Sequence, residues 1–446
     1  MTLRELLMLA CTGLLAAACA VTFLRYGTYQ SLIRNHGWDN VWTQTIFSDN
    51  DKLQHYDAPH VIPEDEVPMN WAARYPFEQS SPTLPQKDNP LREAERIFHE
   101  QTEKFEIWTN QRFYAYMHLV ESMRWYQGLI GWNIPIYSEP LSPTELPNKH
   151  LTKFMKKKDL TQPIEQVTDF SNFCRKNGIQ LLVVLAPNKS ARNDAYDGTL
   201  DFSNENGDDF LEGLQTQGIH CLDLRPVLDA QTEHHMDLFF RTDHHWKPNV
   251  ARAAAQSIEA TLNTSYGYQA DISLLDAEKF HEDLYPSRYL GSFGQRITLV
   301  RTKPDDFPLI YPDFPVSLRL RIPSMELDRT GDFSIFYDYR QLAFPQDFYR
   351  PIYGTYTYGE RALLSVQNLQ KKDQHKLLLI RDSFGNLIIP FLSLGMKEID
   401  AIDMRFFTGS LHAYLRQERP DTVVLCYTIS EFNWDETYPR SLFNFQ

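Results

Sequence analysis

Two stretches of this chain hold the residue types that acyl chemistry needs. Lys376-Leu377-Leu378-Leu379-Ile380-Arg381-Asp382-Ser383-Phe384-Gly385-Asn386 reads as a buried strand running into a serine-bearing turn. Upstream, Thr242-Asp243-His244-His245-Trp246 supplies an aspartate and a histidine one residue apart. A serine at a strand-to-helix turn is lifted onto a sheet's rim, where helix N-terminal amides stabilise a developing oxyanion. A histidine can take its proton when a carboxylate fixes the imidazole tautomer. An extended backbone would put the Asp243 and His245 side chains on one side and turn His244 away. On this reading Ser383 is the nucleophile, His245 the base and Asp243 the orienter. Each has a structural alternative: serine is a common helix N-cap, and a His–Asp hydrogen bond beside Trp246 serves stability alone.

Other residues are candidates for substrate or oxyanion contacts. Gly385 permits close approach, and the Asn386 amide can donate to an oxyanion. Lys189, in Ala186-Pro187-Asn188-Lys189-Ser190, is either a rim residue for an anionic or polyol ligand or a solvated loop lysine. Leu290-Gly291-Ser292-Phe293-Gly294-Gln295-Arg296 lacks any Walker frame but suits a substrate loop delivering Arg296 and a backbone amide at Gly291. A metal is the competing reading, since His234, His235, His244 and His245 cluster near Glu233, Asp237 and Asp243. No HExxH or CxxC spacing accompanies them, so the site is read without metal or cofactor. Cys174, Cys221 and Cys426 read as buried free thiols.

The surrounding pattern says what positions these groups. Ile179 to Ala186, Ile219 to Leu224, Leu377 to Ile380, Glu398 to Ile402 and Thr422 to Tyr427 are apolar runs expected to be strands covered on both faces. Helices are expected over 164–176, 208–217, 248–262, 386–394 and 410–419. Such alternation implies a mainly parallel sheet with helices on both faces. In such sheets the loops after the strands' carboxyl ends host the site, and both motifs sit there. Residues 266–375 read as a β-rich insertion, with alternation over Ser317 to Ile322.

Composition bounds the partners. The 446 residues carry a formal charge of −14, which repels phosphate backbones and argues against nucleic acid. Leu6 to Leu24 is uncharged and mostly apolar, reading as a signal peptide or, by its length, a membrane anchor. An anchor would leave the rest of the chain outside the cytoplasm. The expected organisation is an anchor or signal segment at 1–25, a proline-rich stalk and helical extension at 26–150, and a catalytic domain at 151–446.

Asp243-His244-His245-Trp246, Arg381-Asp382-Ser383-Phe384-Gly385, Gly291-Ser292-Phe293-Gly294 and the Asn188-Lys189 loop together resemble the DHHW family. That family is similar to the SGNH-hydrolase-like alginate O-acetyltransferases of bacterial cell envelopes. The resemblance covers about residues 160–446. It implies an α/β/α sandwich, with Asp243 orienting, His245 as base and Ser383 accepting the acyl group. Arg381 stands where the broader superfamily has glycine, leaving it a further candidate for substrate or oxyanion contact. The implied activity is O-acetyl transfer to a cell-surface polysaccharide, with a membrane-bound acyl-transport protein as donor. An acetyl esterase and a non-catalytic glycan-binding envelope scaffold are the alternatives.

Overall fold

The computed structural model describes residues 143–146, 148–343, 348, 350–372, 375–430 and 442–445. The expectations for Leu6 to Leu24 and for the stalk and helical extension up to residue 142 lie outside the described residues. By contact density the chain divides into residues 1–135 with 298–301, and residues 136–297 with 302–446. The elements below belong to the second unit.

Besides a pair of two-residue strands, Thr144–Glu145 with Leu151–Thr152, its strands are β1 (Gln180–Ala186), β2 (His220–Asp223), β3 (Phe280–Tyr289), β4 (Asp305–Pro312), β5 (Leu318–Ile322), β6 (Leu327–Gly331), β7 (Leu363–Asn368), β8 (Lys376–Arg381), β9 (Glu398–Ile402) and β10 (Thr422–Thr428). The helices are α1 (Thr161–Lys176), α2 (Ser203–Thr216), α3 (Leu224–Asp229), α4 (Pro248–Tyr266), α5 (Ser292–Ile297), α6 (Gly385–Gly395) and α7 (Leu411–Glu418).

Uninterrupted apolar runs become central strands because both their faces are covered. β10 is buried at every position, and β8 at all but its first. The sheet runs β2-β1-β10-β8-β9-β7-β5-β6. Its first five strands are parallel, and β7, β5 and β6 continue it antiparallel. The sheet is therefore mixed, and three strands from residues 266–375 extend it. β5 alternates buried and half-buried residues, as its sequence period requires. β3 and β4 form a separate antiparallel pair.

Helices cover both faces. Val183, Leu185, Leu378, Ile380, Val423 and Leu425 pack with Phe170 of α1, Phe210 and Leu214 of α2, and Leu411 and Leu415 of α7. On the other side α4 packs against α6, and α6 touches β7, β8 and β9. No helix among the described residues is long and apolar enough to cross a membrane.

Two elements differ from the sequence expectation. α2 begins earlier, at Ser203, because its polar first turn is buried by long-range bonds: Asn206 Nδ2 donates to Lys156 O at 2.9 Å and its Oδ1 accepts from Lys158 N at 3.0 Å. α3 is a six-residue helix opened by Asp223, whose carboxylate accepts from Arg225 N at 3.0 Å. It is too short to leave a periodic signal.

Candidate active site

The serine turn is built by the residue before it. β8 ends at Arg381, and Asp382 turns the chain by accepting from Phe384 N at 2.9 Å and Thr428 N at 2.6 Å. Burial pushes the Asp382 carboxyl up to about 6, against the pull of those amides. α6 starts at Gly385, where a Cβ would lie 2.5 Å from Arg381 Cβ, so only glycine fits. α6 also contains Pro390, which lacks the N–H that the Asn386 carbonyl would accept. Thr357 Oγ1 lies 3.3 Å from Asn386 O, but its one proton is shared with Tyr356 O at 2.8 Å.

The histidine segment is a tight hairpin, with Phe240 N donating to His245 O at 3.1 Å and Lys247 N to Leu238 O at 2.9 Å. Between these ties the backbone bends instead of running extended. Asp243 Oδ1 accepts from His244 N at 2.5 Å and His245 N at 3.1 Å. This corrects the expected geometry of His244. Its ring does not turn away but lies beside that of His245, with centroids 3.8 Å apart and its Nδ1 2.8 Å from the same Asp243 oxygen.

His245 lies between the two other groups. Its Nδ1 is 2.9 Å from Asp243 Oδ1, and its Nε2 is 2.7 Å from Ser383 Oγ. All three residues are buried. Burial, and then the neighbouring His244, push the His245 imidazole down to about 4, against the pull of Asp243. Burial would raise the Asp243 carboxyl, but the imidazoles of His245 and His244 outweigh it and hold the group well below the usual carboxylate range. The arrangement keeps a neutral imidazole facing a serine hydroxyl, as general-base chemistry requires.

Three further residues complete the surroundings, and sequence reasoning assigned them no role. Tyr289, at the end of β3, donates its hydroxyl to Asp243 Oδ2, and Ser292 N donates to the same oxygen at 2.8 Å. Tyr353 stacks on His245 with centroids 3.9 Å apart and planes 19° from parallel. Tyr289 adjoins the Gly291 to Arg296 segment, whose glycines drew notice. Nothing local distinguishes Tyr353 from other tyrosines of that stretch.

The remaining sequence candidates take different places. A Cβ on Gly291 would come 2.3 Å from Asp243 Cβ, so this glycine lets its loop close on the carboxylate. Its N–H is already donated to Thr242 Oγ1 at 2.9 Å. Arg296 is half-buried, its guanidinium 5.8 Å from the centroid of the Phe293 ring. Gly385 N donates to Asp382 O and Asn386 N to Ser383 O, each at 3.2 Å, while Asn386 Oδ1 is buried without a partner. Two expectations need correction. Arg381 is fully buried and pairs with Asp403 at 2.9 Å, so it braces β8 and does not reach substrate. Lys189 is 1 % exposed, not a rim residue or a solvated one, because its ammonium is enclosed by backbone carbonyls.

Among the described residues, Asp243, His244 and His245 are the one group whose ligand atoms lie close enough together to hold a metal ion. His235, counted in the sequence cluster, instead bonds Asp229 Oδ1 at 2.6 Å and Asn188 O at 2.7 Å.

Residues 148–307 match the SGNH hydrolase-like domain of the acetyltransferase AlgX. No curated protein sequence matches the chain. Among solved structures, Bacillus cereus PatB1 superposes with a TM-score of 0.56 at 19% identity, over 68% of this chain and 100% of that one. A second PatB1 structure, with a sulfonyl adduct, gives 0.53 at 18% identity over 68% and 99%. A DHHW family protein from Eubacterium siraeum gives 0.50 at 16% identity over 65% and 90%. These likenesses are of fold, and residues 148–307 are the segment similar to the SGNH hydrolase-like domain.

Proposed function

We propose that this SGNH-like enzyme is an extracytoplasmic O-acyltransferase that moves an acetyl group to a hydroxyl of a cell-surface polysaccharide. The observation that carries the reading is His245, held at 2.9 Å by Asp243 on one nitrogen and 2.7 Å from Ser383 Oγ on the other. The match to an acetyltransferase domain supports acetyl as the group moved. Ser383 Oγ attacks the donor's acyl carbonyl as its proton passes to His245 Nε2. That proton leaves with the donor's departing group, giving acetyl-Ser383. The acceptor hydroxyl then gives its proton to His245 and attacks the ester, and the proton returns to Ser383 as it departs. The N-terminal end of α6 favours the oxyanion formed in each half.

An acetyl esterase would share the acyl-enzyme and differ only in accepting water. A glycan-binding scaffold would have no need of a histidine within hydrogen-bonding reach of Ser383. On this reading the segment Leu6 to Leu24 anchors the protein in the bacterial envelope, and a membrane acyl-transport protein supplies the donor. Incubation with a chromogenic acetyl ester, followed by mass spectrometry, should find the acetyl group on Ser383. A folded protein that releases no acetate and carries no acetyl there would overturn the assignment. Adding a polysaccharide acceptor should divert acetyl from water to sugar, which an esterase would not do. External protease should digest the catalytic domain on intact cells, and full protection would refute the placement.

A further inference from the structure

We propose that Lys189 is a positioning residue of the acyl-transfer site, its ammonium fixing the backbone of residues 240–243 where Asp243 meets His245. The inference rests on the reading of Ser383, His245 and Asp243 given above. Lys189 Nζ lies 2.7 Å from Leu151 O, 2.7 Å from Phe240 O, 3.2 Å from Arg241 O and 2.6 Å from Asp243 O. An ammonium has three N–H donors, and these acceptors engage all of them. Its partners are neutral carbonyl dipoles from chain segments distant in sequence. Leaving a buried charge in such surroundings is costly unless every donor is satisfied.

The bonds end on the residue that matters for chemistry. Asp243 is held at both ends: its carbonyl oxygen by Lys189 at 2.6 Å, its carboxylate by His245 at 2.9 Å. Tyr289 and Ser292 fix the other carboxylate oxygen. A shift of the backbone at Asp243 therefore moves the orienter away from the imidazole.

Holding this loop requires the proton. A neutral amine offers two donors and a lone pair, and that lone pair would face a carbonyl oxygen. Burial is the dominant influence on this lysine and pushes it down to about 7. Asp243 and Asp305 favour the ammonium, while Arg241 and Lys247 oppose it, and His150 also faces it. Loss of the proton should thus loosen residues 240–243 while leaving the rest of the fold in place.

The test is the rate at which a sulfonyl fluoride labels Ser383 in the full chain, followed by mass spectrometry between about pH 5 and pH 10, with circular dichroism alongside. We expect the rate to fall about tenfold per pH unit once the lysine titrates, with the dichroism unchanged. A rate that stays level to about pH 10, or a fall that tracks loss of the folded signal, would overturn the proposal. Lys189→Met keeps the side chain's length without its charge. It should label about a hundredfold more slowly than the wild type below about pH 6 and lose the alkaline fall. Wild-type labelling by folded Lys189→Met would also overturn it. If that variant fails to fold, the wild-type profile still decides. A folded protein that does not label at any pH instead refutes the reading of Ser383 itself, so the two failures are distinct.

Discussion

Trp246 and Phe384 are joined by a hydrogen bond from the indole Nε1 to the carbonyl oxygen at 3.2 Å, and their rings meet at 61° with centroids 5.0 Å apart. Each directly follows a residue of the proposed acyl-transfer site, His245 and Ser383. The two motifs, 138 residues apart, are thus fastened beside the point where proton transfer would occur.

Removing that fastening tests whether it sets the reactive distance. Trp246→Phe keeps a buried ring but removes the indole donor from the Phe384 carbonyl, leaving it only Leu387 N at 3.4 Å. It should cost about 1–2 kcal/mol in urea unfolding and lower acetyl release about tenfold. Unchanged activity with lowered stability would make the bond purely structural.

Ser383 Oγ makes no bond to the start of α6, which has no side-chain cap. Ser383→Ala should therefore abolish acetyl transfer while changing unfolding by less than about 0.5 kcal/mol. His245→Ala should be nearly as damaging to transfer, and the double variant little worse than either single one. A loss of about 1 kcal/mol with activity retained would instead mark the serine as a cap. Activity abolished by a chelator and retained in Ser383→Ala would favour a metal mechanism.

The acid side of the pH profile follows from His245. Its folded-state value, about 4, lies below the ordinary 6.5, so the native state binds fewer protons than the unfolded one between those values. Its contribution to stability is complete above about pH 6.5 and is lost as the pH falls through about 4. Acetyl-ester cleavage should accordingly persist at about pH 5 and be halved near pH 4. A half-point near 6.5 would show an exposed imidazole.

Glu259 on α4 gives the opposite slope. Both carboxyl oxygens are buried without a side-chain or backbone bond of good geometry, and burial raises the group well above 4.5. The native state keeps this proton where the unfolded chain releases it, so stability declines as pH rises above 4.5. Glu259→Met should stabilise the protein by about 1–3 kcal/mol at neutral pH, with a smaller gain near pH 4. Equal gains at both pH values would show that the carboxyl is not protonated in the fold.

How much of this was legible depended on whether the cause was local. Leu377 to Ile380 and Thr422 to Tyr427 announced buried strands because an unbroken apolar run has few other uses. Asp243, His245 and Ser383 stood out through residue type and proximity to those strands. Lys189 stood out only as a rim or solvated lysine, and its burial was not legible. Its burial comes from carbonyls 38 to 54 positions away. Tyr289 and Tyr353 were hidden for the same reason, being ordinary aromatics until β3 and the loop before β7 bring them to Asp243 and His245. The bend at Asp243 was missed because the carboxylate caps its own following amides, which a strand-like reading does not anticipate.

β10 lies between β1 and β8, pairing Val184 with Cys426 and Ile380 with Leu425. A ribosome must therefore pass residue 428 before the middle of the sheet can close. Until then β1 and β8 present open edges, and Ser383 and His245 have no common frame. Such late closure across a long sequence separation slows folding and leaves the nascent chain accessible to holding factors. Pulse proteolysis of ribosome-bound chains of increasing length should show protection of β1 and β8 appearing only once β10 has emerged.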